Sequence, residues 1–236
     1  YFWEHYPGNR THILRDYLGG YAVLNYTGGL PAVTPGLSLD GYMGDQTAGP
    51  GTKVPERYIP VGQGFFVTSA PIKDSEGNVD SDGIGGNIVF NNNQRVFKRE
   101  AVTGDSNFGS VFLKSGTGKD KNNSGSNSNP TDETDGIKRI RIDFKTPEGS
   151  IRQLLLGFVS NNRATDGIDY GYDAPKYNVY PNDLTWLIDD KRYEIQGVGE
   201  FDEAKIIPMG LFLTKGGNIE ISLNAMEGLP PSTKVY

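Results

Sequence analysis

The chain has no cysteine, two histidines, two tryptophans and no apolar run near the roughly 20 residues that a membrane helix requires. Without cysteine there are no disulfides, no cysteine-type zinc sites and no thiol catalysis. His5 and His12 both fall in the first dozen residues, so a metallohydrolase or a Ser-His pair would have to be built around one of them. Basic tracts are also missing. The formal charge is −6, and nothing in the chain offers to neutralise a phosphate backbone, which argues against nucleic acid as a partner. Helical windows are missing too, because 32 glycines and 14 prolines interrupt the 3.6-residue period throughout the 236 residues.

Aromatic residues and turn formers are plentiful. Thirteen Tyr and eleven Phe among many glycines read as short strands joined by tight turns. Strands are predicted at 21–26, 65–69, 87–91, 108–114, 137–145, 151–159, 183–188 and 192–197, with a last hairpin of 206–214 and 218–225. In 137–145 Ile140, Ile142 and Phe144 share one face, and Arg139, Arg141, Asp143 and Lys145 form a charged outer face. The run 151–159 is apolar almost without alternation, so both its faces should be covered. In the last hairpin Ile219, Ile221 and Leu223 should point inward. About ten to twelve antiparallel strands in all suit an all-β sandwich or jelly roll. Ile140, Ile142, Phe144, Leu154, Leu156, Phe158, Trp186, Ile195, Leu211, Ile219 and Ile221 should share one core. From Ser115 to Gly136 there is no apolar side chain apart from one Pro, so 115–136 is expected to be a solvated insertion within one domain, 1–236.

Two acidic clusters could carry chemistry. Asp74, Glu76, Asn78, Asp80 and Asp82, followed by Gly83, place oxygen donors at alternate positions, as a calcium loop does; a polar hairpin tip would have the same composition. Asp166, Asp169 and Asp173 surround Tyr170 and Tyr172. That cluster could bind calcium or a sugar, or could cap a turn by accepting backbone amides. Tyr42, Tyr58, Tyr170, Tyr172, Tyr177 and Tyr180 stand in loop-like context and could stack on glycans, though Tyr in β proteins also fills half-buried surface. Gly83-Ile84-Gly85-Gly86 and Gly116-Thr117-Gly118-Lys119 match neither phosphate-binding fingerprint and precede no helix.

Several pieces carry a resemblance: Tyr1-Phe2-Trp3-Glu4-His5, Gly20-Tyr21-Ala22-Val23-Leu24-Asn25, Ile59-Pro60-Val61-Gly62-Gln63-Gly64-Phe65-Phe66-Val67 and Ile88-Val89-Phe90-Asn91-Asn92-Asn93-Gln94-Arg95. Later come Ala164 to Ala174, Tyr193-Glu194-Ile195-Gln196-Gly197 and Ile207-Pro208-Met209-Gly210. Together they resemble a non-catalytic β domain of large secreted Bacteroidota proteins, one that precedes a C-terminal sorting domain read by the type IX secretion system. The resemblance implies export to the cell surface or the medium. It implies other domains of the same polypeptide as partners, and the secretion machinery engaged through a sorting domain outside this stretch. It implies no reaction. Both ends read as strand interior, so the chain is expected to be part of a longer polypeptide. Surface glycans or proteins, with calcium assisting, are the alternative partners.

Overall fold

A computed structural model describes residues 1–5, 19–33, 53–68, 87–97, 136–161, 163–177, 180–214 and 216–236. The fold is all-β. Among the described residues ten strands run in chain order: β1 Phe2–His5, β2 Gly19–Leu24, β3 Gly29–Leu30, β4 Lys138–Lys145, β5 Ile151–Phe158, β6 Ala174–Pro175, β7 Asp183–Ile188, β8 Lys191–Val198, β9 Met209–Phe212 and β10 Glu220–Glu227. Strands β1–β2–β3 form a small antiparallel sheet. The others pair in the order β10-β4-β5-β8-β7-β9, with β6 also on β8.

The β4–β5 hairpin follows from its alternation and from the turn Thr146-Pro147-Glu148-Gly149. In that turn Gly149 takes φ 88°, and its N–H donates to Thr146 O at 2.9 Å. Register sets Ile140 opposite Leu156 and Ile142 opposite Leu154. With Phe144 and Phe158 they make one apolar face. The β7–β8 hairpin turns through Asp189 and Asp190, both at positive φ as a two-residue hairpin loop requires. Its Leu184, Trp186 and Ile188 pack into the same cluster as the β4–β5 face, and the curled sheet gives a sandwich-like core.

Strand β8 joins the two layers. Tyr193 pairs with Trp186 of β7 and Ile195 pairs with Leu155 of β5, while β6 lies along both positions. Since β6 occupies one edge of β8, β7 and β5 share the other edge in succession. Trp186 Nε1 donates to Leu155 O at 3.0 Å where one strand gives way to the other. Tyr193 and Val198 are five residues apart and would face opposite ways on a regular strand, yet both lie in the main core. Strand β8 passes between layers within that interval.

Several expectations are corrected. The β5–β8 pair is parallel, so the sheet is mixed rather than wholly antiparallel. Ile195 belongs to a second cluster with Val23, Leu30, Leu155 and Ala174, on the far side of β5. Arg139 and Arg141 are not on a solvated face: both are buried, Arg141 to 2 % exposure, because β2 and β3 lie over them. Arg139 Nε donates to Thr27 O (2.6 Å) and Arg141 Nη1 to Gly29 O (2.9 Å), while Arg141 Nε pairs with Glu227 at 2.7 Å. The described part of 65–69 forms no ladder: Phe66 N–H makes one bond, to Tyr1 O, and Phe65 stacks on Phe2. Positions 87–91 join no strand ladder among the described residues; Asn91 is extended and leads into a 3-10 turn at Asn92–Gln94, where the Gln94 side chain accepts the Asn91 amide.

The last hairpin does not form. Strand β9 pairs with β7 and β10 pairs with β4, at opposite ends of the strand order. Register places Leu211 beside Leu184, Ile221 beside Phe144 and Leu223 beside Ile142, so all three lie on the inward side. They are nevertheless exposed, Leu211 to 45 % and Ile221 to 52 %; Ile219 is half-buried. Strand 108–114 and nearly all of 115–136 lie outside the described residues.

Candidate functional site

The turn between β5 and β6 brings the second acidic cluster together around its own backbone. Asp169 Oδ2 accepts Thr165 N–H (2.5 Å) and Thr165 Oγ1–H (2.8 Å). Asp173 Oδ2 accepts Asp169 N–H (2.6 Å), and its Oδ1 accepts Gly197 N–H of β8 (2.8 Å). Asp166 is exposed and pairs with Lys205 at 2.6 Å. Burial pushes the Asp173 carboxyl up to about 6, against the pull of the Asp169 and Gly197 amides. The three carboxylates therefore point to three different partners. Among the described residues no group of three or more His, Cys, Asp or Glu is placed to hold a metal ion. Asp74, Glu76, Asn78, Asp80 and Asp82 lie outside the described residues, as do His12 and Tyr42.

The same turn carries tyrosines. Tyr170 is exposed, and Tyr172 is half-buried with its ring 5.6 Å from that of Tyr26. Tyr26, 74 % exposed, lies over Gly171, where φ is 88° and a Cβ would meet the ring at 3.0 Å. The loop bearing Tyr26 is pinned at both sides. Tyr26 N–H donates to Gly171 O, and Asn25 Nδ2 and Thr27 Oγ1 both donate to Tyr172 O, at 2.8 and 2.6 Å. Thr27 sits over Gly157 and Gly197, a register pair of β5 and β8; a Cβ on Gly197 would lie 2.9 Å from Thr27 Oγ1. The other candidate tyrosines are elsewhere. Tyr177 packs between Tyr1 and Tyr21, Tyr180 lies 5.0 Å over the Arg152 guanidinium, and Tyr58 is half-buried.

A site that the sequence reading missed lies at the start of β5. Arg152 (β5), Lys176 (just after β6), Asp183 (β7) and Glu194 (β8) meet in one buried, net-neutral cluster beside Tyr21, Tyr177 and Tyr180. Arg152 Nη1 donates to Glu194 Oε2 at 3.1 Å. Arg152 Nε lies 2.7 Å from Asp183 Oδ1 as an ion pair, off the line of a hydrogen bond. Lys176 Nζ is in direct contact with Asp183 Oδ2. Burial, then Arg152, lowers the Lys176 ammonium to about 8 against the opposing pull of Asp183 and Glu194; burial pushes Glu194 up. One signal was available: an arginine inside the apolar run 151–159 must find buried acceptors if both faces of that run are covered.

The chain is thus an all-β protein of sandwich-like architecture in which Asp169, Asp173, Arg139 and Arg141 engage its own backbone. A family model described as "Domain of unknown function (DUF8693)" matches residues 1–236, and the chain belongs to that family. No curated protein and no solved structure matches it.

Proposed function

We propose that this is a non-catalytic structural module that spaces or presents other domains of a secreted or cell-surface bacterial protein, of the kind exported from Bacteroidota by the type IX secretion system. The observation that carries this reading is the use made of Asp169 and Asp173. These clustered carboxylates accept backbone amides of Thr165, Asp169 and Gly197, and so hold the chain together. The arginines of β4 do the same for the small sheet. The export part rests on the resemblance of the sequence motifs.

A second reading, a carbohydrate- or protein-binding module, is favoured by Tyr26, Tyr170 and Tyr172 around one turn, since exposed rings can stack on sugars. A glycan array probed with the chain, in calcium and again in chelator, separates the two. The structural module is expected to stay at background in both. A saccharide signal abolished by Tyr170→Ala would replace it with the binding module, and a signal present only in calcium would add the metal. For export, the full reading frame should place a signal peptide before these residues and a sorting domain after them.

A further inference from the structure

We propose that Lys176 and Asp183 become joined by an isopeptide bond between Lys176 Nζ and Asp183 Cγ, formed by the chain on itself with release of water. The two groups already touch, and both side chains are only 1 % exposed. Nζ is steered from one more side by Leu184 O at 3.5 Å. Holding an amine against a carboxyl in a fixed pocket replaces a bimolecular encounter with a unimolecular one. Exclusion of water also favours the condensed side, because the water released leaves for bulk solvent.

The surrounding groups suit the step. Arg152 approaches the Asp183 carboxylate at Oδ1, while Lys176 contacts Oδ2. A guanidinium at Oδ1 stabilises the negative charge that develops there when the amine adds to Cγ. Glu194 accepts from Arg152 Nη1 and so holds the guanidinium in place. The amine must be neutral to attack, and burial together with Arg152 moves Lys176 in that direction.

The balance is simple. The ammonium passes a proton to the touching carboxylate oxygen, leaving an amine and a carboxylic acid. The nitrogen lone pair forms the N–Cγ bond. The nitrogen then loses a second proton, the C–O bond to Oδ2 breaks, and that oxygen departs with both protons as water. Nothing is oxidised or reduced, and no co-reactant is needed. The product is an amide that closes a ring over residues 176–183.

Intact mass spectrometry of the unfolded chain tests this directly. The expected mass is about 18 Da below that of the sequence, the loss of one water. Trypsin should then fail to cut after Lys176 and release residues 164–191 as one peptide carrying the whole deficit. Lys176→Met should run at its full sequence mass, and this readout does not depend on the variant folding. A wild-type chain at full mass, with 164–176 released as a linear peptide, would leave only a buried ion pair and overturn the proposal. So would a deficit confined to 164–176 after normal cleavage, which is the signature of a succinimide at Asp166-Gly167. A deficit persisting in Lys176→Met would overturn it as well.

Discussion

The two faces of the β4–β5 hairpin are both dry, but different chemistry dries them. The inner face is hydrocarbon: Ile140, Ile142, Phe144, Leu154, Leu156 and Phe158 meet Leu184, Trp186 and Ile188 across the sandwich. On the outer face Leu155 joins a small cluster, while Arg139 and Arg141 are buried by handing donors to carbonyls and a carboxylate of other segments, and Gln153 donates to Asp143 on the facing strand of the same hairpin. The inner face tolerates any well-fitting apolar side chain. The outer face has geometric demands, since each guanidinium N–H needs its own acceptor. Hydrocarbon supplies most of the stability here, and the arginines specify which segment lies on top.

The sharpest way to break the inner face is Trp186→Ala, which empties a large volume in the core and removes the indole donor to Leu155 O. A loss of about 3–5 kcal/mol is expected in denaturant titration, and Phe158→Ala should fall in the same range. On the outer face Arg141→Ala leaves Gly29 O without its donor and Glu227 without its closest cation. About 3 kcal/mol is expected, together with loss of protection at β2–β3 amides in hydrogen exchange. Loss at β2–β3 with β4–β5 protection retained would confirm that the arginines mainly hold the small sheet.

Gly197→Ala probes the cover rather than the face. Its Cβ would press on Thr27 Oγ1 and Tyr172 Cβ, and about 1–3 kcal/mol is expected from thermal and denaturant midpoints. The smallest effects belong to the open ends of the inner face: Leu211→Ser or Ile221→Ser should cost under about 1 kcal/mol, because neither side chain is covered.

A pH series sharpens the same comparison at Asp173, whose folded carboxyl sits at about 6, above an ordinary Asp. A group raised on folding contributes stability that is full below its unfolded pKa and lost as pH climbs through the folded value. Its contribution should therefore fall between about pH 4 and pH 6. Asp173→Asn lacks that fall, so the gap between wild type and variant should be wider at pH 4 than at pH 7. A constant gap would place the carboxyl in an ordinary, solvated setting.

Much of the inner face was legible because period-two alternation reports which side chains share a side, and in Ile140, Ile142 and Phe144 it did so correctly. Alternation does not report what covers the other side. The carbonyl that accepts from Arg139 comes from 112 residues away, so Arg139 and Arg141 read as a solvated stripe. Nor does it say whether an inward side has a cover, which is why Leu211 and Ile221 read as core from the sequence. β-Propensity in 65–69 and 87–91 marks chain suited to a ladder, but a ladder needs a partner, and the glycines before Phe65 and the asparagines after Phe90 favour local bonds instead. The acidic turn was visible as a cluster of carboxylates; the amides of Thr165 and Gly197 that employ them were not, because backbone donors carry no letter in a sequence.

The sharing of β8 between layers has a consequence for how the fold comes apart. In an ordinary sandwich the two sheets touch only through side chains, and one can fray while the other persists. Here the backbone bonds of β7 and of β5 are made to successive stretches of the same strand. Neither layer can lose that strand without stripping the other of its edge, so cooperativity between the layers is written into the main chain as well as into the hydrocarbon between them.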